Sequence, residues 1–257
     1  MARVPVARKR PLRDYVEQVQ LGLPFSFARY GDGEWHCILG NFGERNSNGC
    51  TYTKPLSDVL RAGLRKGHPY EHSILRIARR NLGPLIEKFL INHEIQIEWT
   101  LGDTILEESL KGNIFPLIEQ LRTKRILYVG PKHCRGLNRM GFFSYVDYIQ
   151  PPPRNAFTVR HDIVRNIAGS IKENNVQVVG YSSGLASKVF IDDIYQITDG
   201  EITQIDFGSM FDGYFGIPSR SYIKRGKLNF RVLHELNTKE NPDATRDQIK
   251  VNPRAKK

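Results

Sequence analysis

The chain has 257 residues, 40% hydrophobic and 25% charged, which suits one substantial hydrophobic core and excludes disordered or fibrous composition classes. No apolar run approaches the roughly 18 residues that span a bilayer, the start "MARVPVARKRPLRDY" lacks a secretory apolar segment, and three scattered cysteines without a CxxC pair argue against disulfides, so the expectation is a cytoplasmic protein. The net charge of +11 is concentrated at the ends, with five basic and no acidic residues in 1–13 and six basic against three acidic in 237–257.

In chain order, residues 1–10 read as a basic arm outside the core. Residues 11–21, "PLRDYVEQVQL", read as a helix with proline in its first turn, stopped by Gly22 and Pro24. Residues 25–30 read as a buried strand and 34–39 as the opening of a second helix. The Gly/Asn/Ser-rich "GNFGERNSNG" between them and the next helix reads as a loop with the composition of a lid. Helical patterns recur over 55–66, 83–93 and 103–123. "RILYVG" and "YVDYIQ" read as strands, the latter closed by Pro151, Pro152 and Pro153. An amphipathic helix fits 157–174, "VQVVGYSSG" is strand then turn, 188–195 is helical, and "QIDFGSMFDGYFG" is a short strand followed by a loop. From residue 237 onward the sequence is polar and Pro-bearing and reads as a basic tail.

Apolar strands separated by helices predict an α/β fold, Rossmann-like, with a mainly parallel sheet covered by helices on both faces. The expected organisation is one domain over 11–236 flanked by the arm and the tail. In such sheets, ligands collect where strands end and helices begin, because the loops there present free backbone N–H groups. Three loops fit that position: 30–34 is acidic, 130–136 is basic ("GPKHCRG"), and 181–185 is small and hydroxylated ("YSSGL"). Together they suit a metal-bridged nucleotide, with Lys132, His133 or Arg135 and the turn amides on the phosphate oxygens.

The acids of "RYGDGE" have two readings. In an extended segment, Asp32 and Glu34 project to one side and reach a single Mg²⁺ or Mn²⁺, while Gly31 and Gly33 leave room for phosphate. In a helix start, Asp32 is an N-cap and Glu34 a first-turn acid favoured by the helix dipole. Asp192 and Asp193, inside a helix, read as solvent-facing.

The segment "FSFARYGDGEW" resembles the amino-terminal signature of the GT-D type glycosyltransferases, a family first defined as a domain of unknown function. "VQVVGYSSGLASKVFIDDIY" and "QIDFGSMFDGYF" resemble its later strand–turn–helix and closing segments, in family order across about residues 14–216. The resemblance implies a metal-dependent enzyme that transfers a sugar from a nucleoside diphosphate donor, a UDP-sugar such as UDP-glucose, to a hydroxyl. It implies Asp32 and Glu34 as ligands of Mn²⁺ or Mg²⁺, and Arg29 beside the donor diphosphate within the string that includes Tyr30, Gly31 and Gly33. It further places Ser183, Gly184 and Lys188 in the second nucleotide-proximal turn. The chain departs from the family at Ser209, where a histidine is usual.

Direct attack by a hydroxyl requires a base, and Asp206 and Asp212 are the sequence's choices for it. The acceptor is either a glycan or glycoprotein, as the resemblance implies, or a hydroxylated base in DNA held through the basic arms. A nucleotide- or nucleic-acid-binding protein with a degenerate, inactive transferase fold is the alternative that Ser209 permits.

Overall fold

The computed structural model describes residues 6–250, and within them eight strands form a single sheet in which every pairing is parallel. The strands are β1 (Ala7–Arg8), β2 (Ser26–Tyr30), β3 (Tyr70–Ile74), β4 (Trp99–Leu101), β5 (Ile126–Val129), β6 (Asp147–Ile149), β7 (Val178–Tyr181) and β8 (Thr203–Asp206). Their order across the sheet is β1-β4-β3-β2-β8-β7-β5-β6. The helices are α1 (Leu12–Leu21), α2 (Asp32–Ile38), α3 (Lys54–Gly63), α4 (Arg76–Asn92), α5 (Thr104–Ser109), α6 (Phe115–Arg122), α7 (Arg160–Glu173), α8 (Leu185–Ile197), α9 (Ser221–Lys224) and α10 (Phe230–Thr238).

Side chains alternate across each strand, so each face of the sheet collects its own core. Ala28, Tyr30, Leu127, Val129, Val179 and Tyr181 pack beneath α2, α3, α4, α7 and α8. Phe27, Ile126, Tyr128, Val178 and Ile205 pack on the opposite face beneath α1 and α6. The α/β architecture expected from the sequence is therefore present, with helices on both faces. From β2 the chain winds outward through β3 and β4, while β5, β7 and β8 occupy the other side. The C-terminal ends of β2 and β8 consequently flank the reversal in strand order, where such sheets bind ligands.

Several elements differ from the sequence reading. β3 was masked by Glu71, His72 and Ser73, each satisfied within the fold. Glu71 accepts from Arg10 and from the Tyr15 hydroxyl, His72 meets the Gly63 carbonyl at 2.9 Å, and Ser73 meets Thr100 at 2.6 Å. The pattern over 103–123 is two helices, broken by a turn with Gly112 at φ 73°. Asp192 and Asp193 are buried, because ten consecutive residues of α8 from Leu185 to Ile194 are buried. Asp193 is forked by Arg160, and Asp192 faces Lys66 at 3.6 Å.

The ends also differ from free arms over the residues described. Ala7 and Arg8 pair with β4, and Arg10 is an ion-pair partner of Glu71 stacked 4.3 Å from the Tyr15 ring centroid. Arg8 and Arg10 line a cavity of about 570 Å³ that also borders Pro69 and Glu98, the residues that precede β3 and β4. That is the N-terminal edge of the sheet, the opposite edge from the ligand crevice. In the tail, Ile249 is buried against Leu233 and Val232, and Lys250 bridges to Leu228. Residues 1–5 and 251–257 lie outside the described residues. Among the described residues, no helix is long and apolar enough to cross a membrane.

Candidate functional site

At the C-terminal end of β2 the chain turns directly into α2, which sets Asp32 and Glu34 on a first helical turn rather than on an extended segment. Side chains two apart on a helix do not share a face. Asp32 is exposed and makes no hydrogen bond or ion pair with the described residues, whereas Glu34 is 7% exposed. The Glu34 carboxylate turns back, accepting from the Gly31 N–H at 2.8 Å through one oxygen and facing Lys188 Nζ at 2.7 Å through the other. Among the described residues the two acids thus have different surroundings, one free and one engaged.

Lys188 lies on α8 and is 5% exposed. Its ammonium contacts Glu34 Oε1, Asp206 Oδ2 at 2.9 Å and the Gly184 carbonyl at 3.1 Å, so its three protons are used within the protein. Asp206, at the end of β8 and 2% exposed, accepts from the Gly208 N–H at 3.0 Å through its other oxygen. This buried carboxylate–ammonium–carboxylate array ties α2, α8 and β8 together beneath the crevice. It holds Asp206 buried in an ion pair, away from an acceptor, and leaves Lys188 no proton for a phosphate. Burial alone would raise the Glu34 carboxyl, but the Lys188 charge and hydrogen bond, with the Gly31 amide, hold it below its ordinary value. Burial would lower the Lys188 ammonium, and the charges of Asp206 and Glu34 raise it instead.

A pH prediction follows with a definite sign. A carboxylate lowered in the folded state contributes stability that is complete above its unfolded value and is lost as pH falls through the lowered one. Lys188 contributes below its unfolded value and loses that contribution as pH rises through the raised one. Glu34→Gln is therefore expected to be less stable than wild type at neutral pH. The gap should narrow on acidification, as read by urea unfolding midpoints from neutral pH down into the acid range. A gap of constant size across that range would show that the Glu34 charge is not what Lys188 holds.

Arg29 is the other buried charge. It is 8% exposed, donates one hydrogen bond at 3.3 Å to the Asp206 carbonyl, has an Nε with no partner and makes no ion pair with any described acid. Gly208, at φ 56°, makes room for it, since a Cβ there would stand 2.7 Å from Arg29 Nη1. A buried guanidinium without a counter-charge is costly, and an anion arriving in the crevice supplies one. On the segment after the 3-10 turn, burial raises the Tyr222 phenol; Ser209 opposes the rise by hydrogen bonding, Asp212 adds to it, and the charges of Arg220 and Arg29 oppose it. Among the described residues, the buried Ser219 hydroxyl on the same segment has no hydrogen-bond partner.

The remaining expected residues sort by position. Tyr30 is a core residue, 1% exposed and ringed by Trp35, His72 and Trp99, because its strand position faces the α2–α4 core. At Gly31 a Cβ would stand 2.9 Å from a Leu75 methyl and 3.1 Å from the Glu34 carboxylate, so a side chain there would displace both, while a Cβ at Gly33 would meet nothing closer than 3.5 Å. The Ser183 hydroxyl donates to the Val129 carbonyl at 3.1 Å. Gly184 caps α8 at φ 59°, and Lys132 stands exposed on the 3-10 turn after β5.

The 40–49 loop roofs this crevice. Asn46 approaches Gly33, Asn48 approaches Gly184, the Thr51 N–H donates to Asn155 at 2.9 Å, and Arg220 reaches both Ser47 and Ser209. Opposite, His133 Nε2 and Asp212 Oδ1 are 2.9 Å apart, a pairing that links the basic loop after β5 to the 3-10 turn after β8. Sequence reasoning named both residues but not their contact.

A divalent cation fits this site in one way. Among the described residues, no group of three or more His, Cys, Asp or Glu side chains is placed to hold a metal, and both Glu34 oxygens are engaged. Asp32 offers one free hard carboxylate, which suits an ion that takes its other ligands from substrate phosphates and water.

No family model matches the chain, and no curated protein matches it. Solved structures do. One described as a new glycosyltransferase (DUF1792) from Streptococcus sanguinis superposes with a TM-score of 0.60 at 16% identity, covering 86% of this chain and 86% of that one. Another, described as showing that the highly conserved domain of unknown function 1792 has a distinct glycosyltransferase fold, superposes with a TM-score of 0.57 at 17% identity over 81% of this chain and 82% of that one. A selenomethionine-substituted DUF1792 structure gives 0.59 at 17% identity over 87% and 84%. The chain thus has this glycosyltransferase fold, as the resemblance of "FSFARYGDGEW" implies.

Proposed function

We propose that the protein is a glycosyltransferase that binds a nucleoside diphosphate sugar, a UDP-sugar, in the crevice between β2 and β8 and transfers its sugar to a hydroxyl of a glycan or glycoprotein. The observation that carries this reading is Arg29, a buried guanidinium without a carboxylate partner at the reversal point of a glycosyltransferase fold. A diphosphate satisfies its charge and its free Nε–H in one contact. The α8 amino terminus behind Gly184 adds backbone amides and a favourable dipole for the same anion.

Mn²⁺ or Mg²⁺ would be held by Asp32 together with the donor phosphates, and it would stabilise the charge that develops on the leaving diphosphate. Glu34 serves this site by fixing Lys188 and the α2 turn rather than by ligation. The protein's own work is to orient the donor, with Arg29 gripping phosphate and the 40–49 loop covering it. DNA as acceptor rested on the basic arms. Arg10 is consumed by Glu71, and Arg8 lies on the far edge of the sheet, so the observed placement favours a glycan hydroxyl.

Asp32→Asn tests the cation directly. Calorimetric titration of UDP should show tighter binding with Mn²⁺ than with EDTA in wild type and no such difference in Asp32→Asn. A metal-dependent gain that survives in Asp32→Asn would remove Asp32 from the ion.

A further inference from the structure

With Asp206 committed to Lys188 and Gly208, the acceptor's proton needs another destination. We propose that His133 is the general base that takes it, and that Asp212 positions the imidazole; this rests on reading the crevice as a nucleotide-sugar site.

An ionised Asp212 only accepts, so the proton on this imidazole sits on Nε2, and the Nδ1 lone pair is left free. Nδ1 makes no hydrogen bond with the described residues. The Asp212 side chain is 11% exposed and that of His133 24%, which leaves the acid shielded and part of the imidazole reachable from solvent. Phe215, three residues after Asp212 on the same 3-10 turn, packs its ring 5.6 Å from the imidazole and restricts its rotation. Asp212 lies on the same segment that covers Arg29, four residues after Gly208, which packs against the guanidinium, and six after Asp206, whose carbonyl accepts from it. An acid and an oriented imidazole are therefore held by the segment that also covers the anion-seeking guanidinium. The histidine absent at Ser209 is supplied from the loop after β5.

The step balances as a single displacement. The acceptor oxygen forms a bond to the anomeric carbon as its proton passes to His133 Nδ1. The bond from that carbon to the donor's phosphate oxygen breaks, and its electron pair leaves with the nucleoside diphosphate. Such a displacement inverts the anomeric centre. An α-linked donor then gives a β product.

The test uses UDP-glucose and UDP-galactose with Mn²⁺ and water as the acceptor, on wild type, His133→Gln, His133→Ala and Asp212→Asn. Thermal melting and UDP calorimetry confirm that each variant is folded and binds the nucleotide. His133→Gln is expected to lower kcat for donor hydrolysis on the order of 10²–10⁴-fold, with KM and UDP affinity within about threefold of wild type. Asp212→Asn should lower kcat in the same direction, and added imidazole should restore part of the His133→Ala rate. Nuclear magnetic resonance of the freshly released sugar should show the β anomer first. A folded, UDP-binding His133→Gln with wild-type kcat, or release of the α anomer, would overturn the proposal while leaving the donor site intact. Wild type that binds UDP but cleaves neither donor would also overturn it. Failure of wild type to bind UDP at all would instead bring down the donor-site reading and this inference with it.

Discussion

Replacing Lys188 with Met is expected to cost the fold about 3–5 kcal/mol, because it strips the only ammonium from two buried carboxylates. Glu34 and Asp206 would then face each other's surroundings with single backbone N–H donors from Gly31 and Gly208. For a chain of this size, each kcal/mol moves the thermal midpoint by about 2–4 °C, so the change is well within reach of calorimetry. Neutralising the acids as well, in the triple variant Lys188→Met, Glu34→Gln, Asp206→Asn, should recover part of the loss, since no uncompensated charge is left behind. The alternative role for Lys188, a direct grip on donor phosphate, makes the opposite forecast. On that view Lys188→Met would melt near wild type and lose UDP affinity. Recovery of stability in the triple variant separates the two.

Arg29→Met should do the reverse. Removal of a buried guanidinium without a counter-charge should leave the melting temperature unchanged or higher, since among the described residues it gives up one hydrogen bond, to the Asp206 carbonyl. UDP affinity should fall by about 1.5–3 kcal/mol, the range for hydrogen bonds to charged groups, which corresponds to roughly 10- to 150-fold in Kd. Arg29→Lys should recover only part of this, because an ammonium lacks the fork that meets two phosphate oxygens. A variant that melts far below wild type would mean that Arg29 is a structural charge. One that binds UDP normally would mean that the diphosphate lies elsewhere.

These opposite forecasts for two buried cations show what was and was not legible in the sequence. β2 and the presence of α2 were readable, since a continuous apolar run followed by Gly and acids is a local signal, although α2 begins at Asp32 rather than at 34. β7, α8 and β8 were readable for the same reason. β3 was not, because Glu71, His72 and Ser73 are satisfied by Arg10, Gly63 and Thr100 from other parts of the chain. The Glu34–Lys188–Asp206 array was half legible. Each charge sits within an apolar stretch ("GDGEW", "LASKVFI", "TQIDFG"), and a buried charge demands a partner. Which charge pairs with which depends on sheet order, and periodicity does not reveal that order. The His133–Asp212 contact spans 79 residues of sequence and depends on the loops after β5 and β8 reaching across β7. What the sequence did not reveal about Asp32 and Glu34 is that the chain is already helical at Asp32, which sets the two side chains on different faces of the first turn.

Burial explains the difference in role between those two acids. Glu34, Lys188 and Asp206 form a buried floor in which two carboxylates share one ammonium. Asp32 and Arg29 keep charge unspent, one at the rim and one beneath Gly208. On the proposed reading, the unpaired cation and the free carboxylate beside a helix amino terminus would serve a ligand carrying both phosphate and a divalent ion.

The most direct measurement is release of UDP from a panel of UDP-sugars incubated with wild-type protein and Mn²⁺, followed by chromatography with and without simple glycoside acceptors. UDP should accumulate from at least one donor, faster when an acceptor hydroxyl is present, and should not accumulate with folded Arg29→Met. A folded wild-type protein that liberates no UDP from any donor, and whose UDP titration is flat with Mn²⁺ present, would contradict the assignment of this crevice to a nucleotide-sugar transferase.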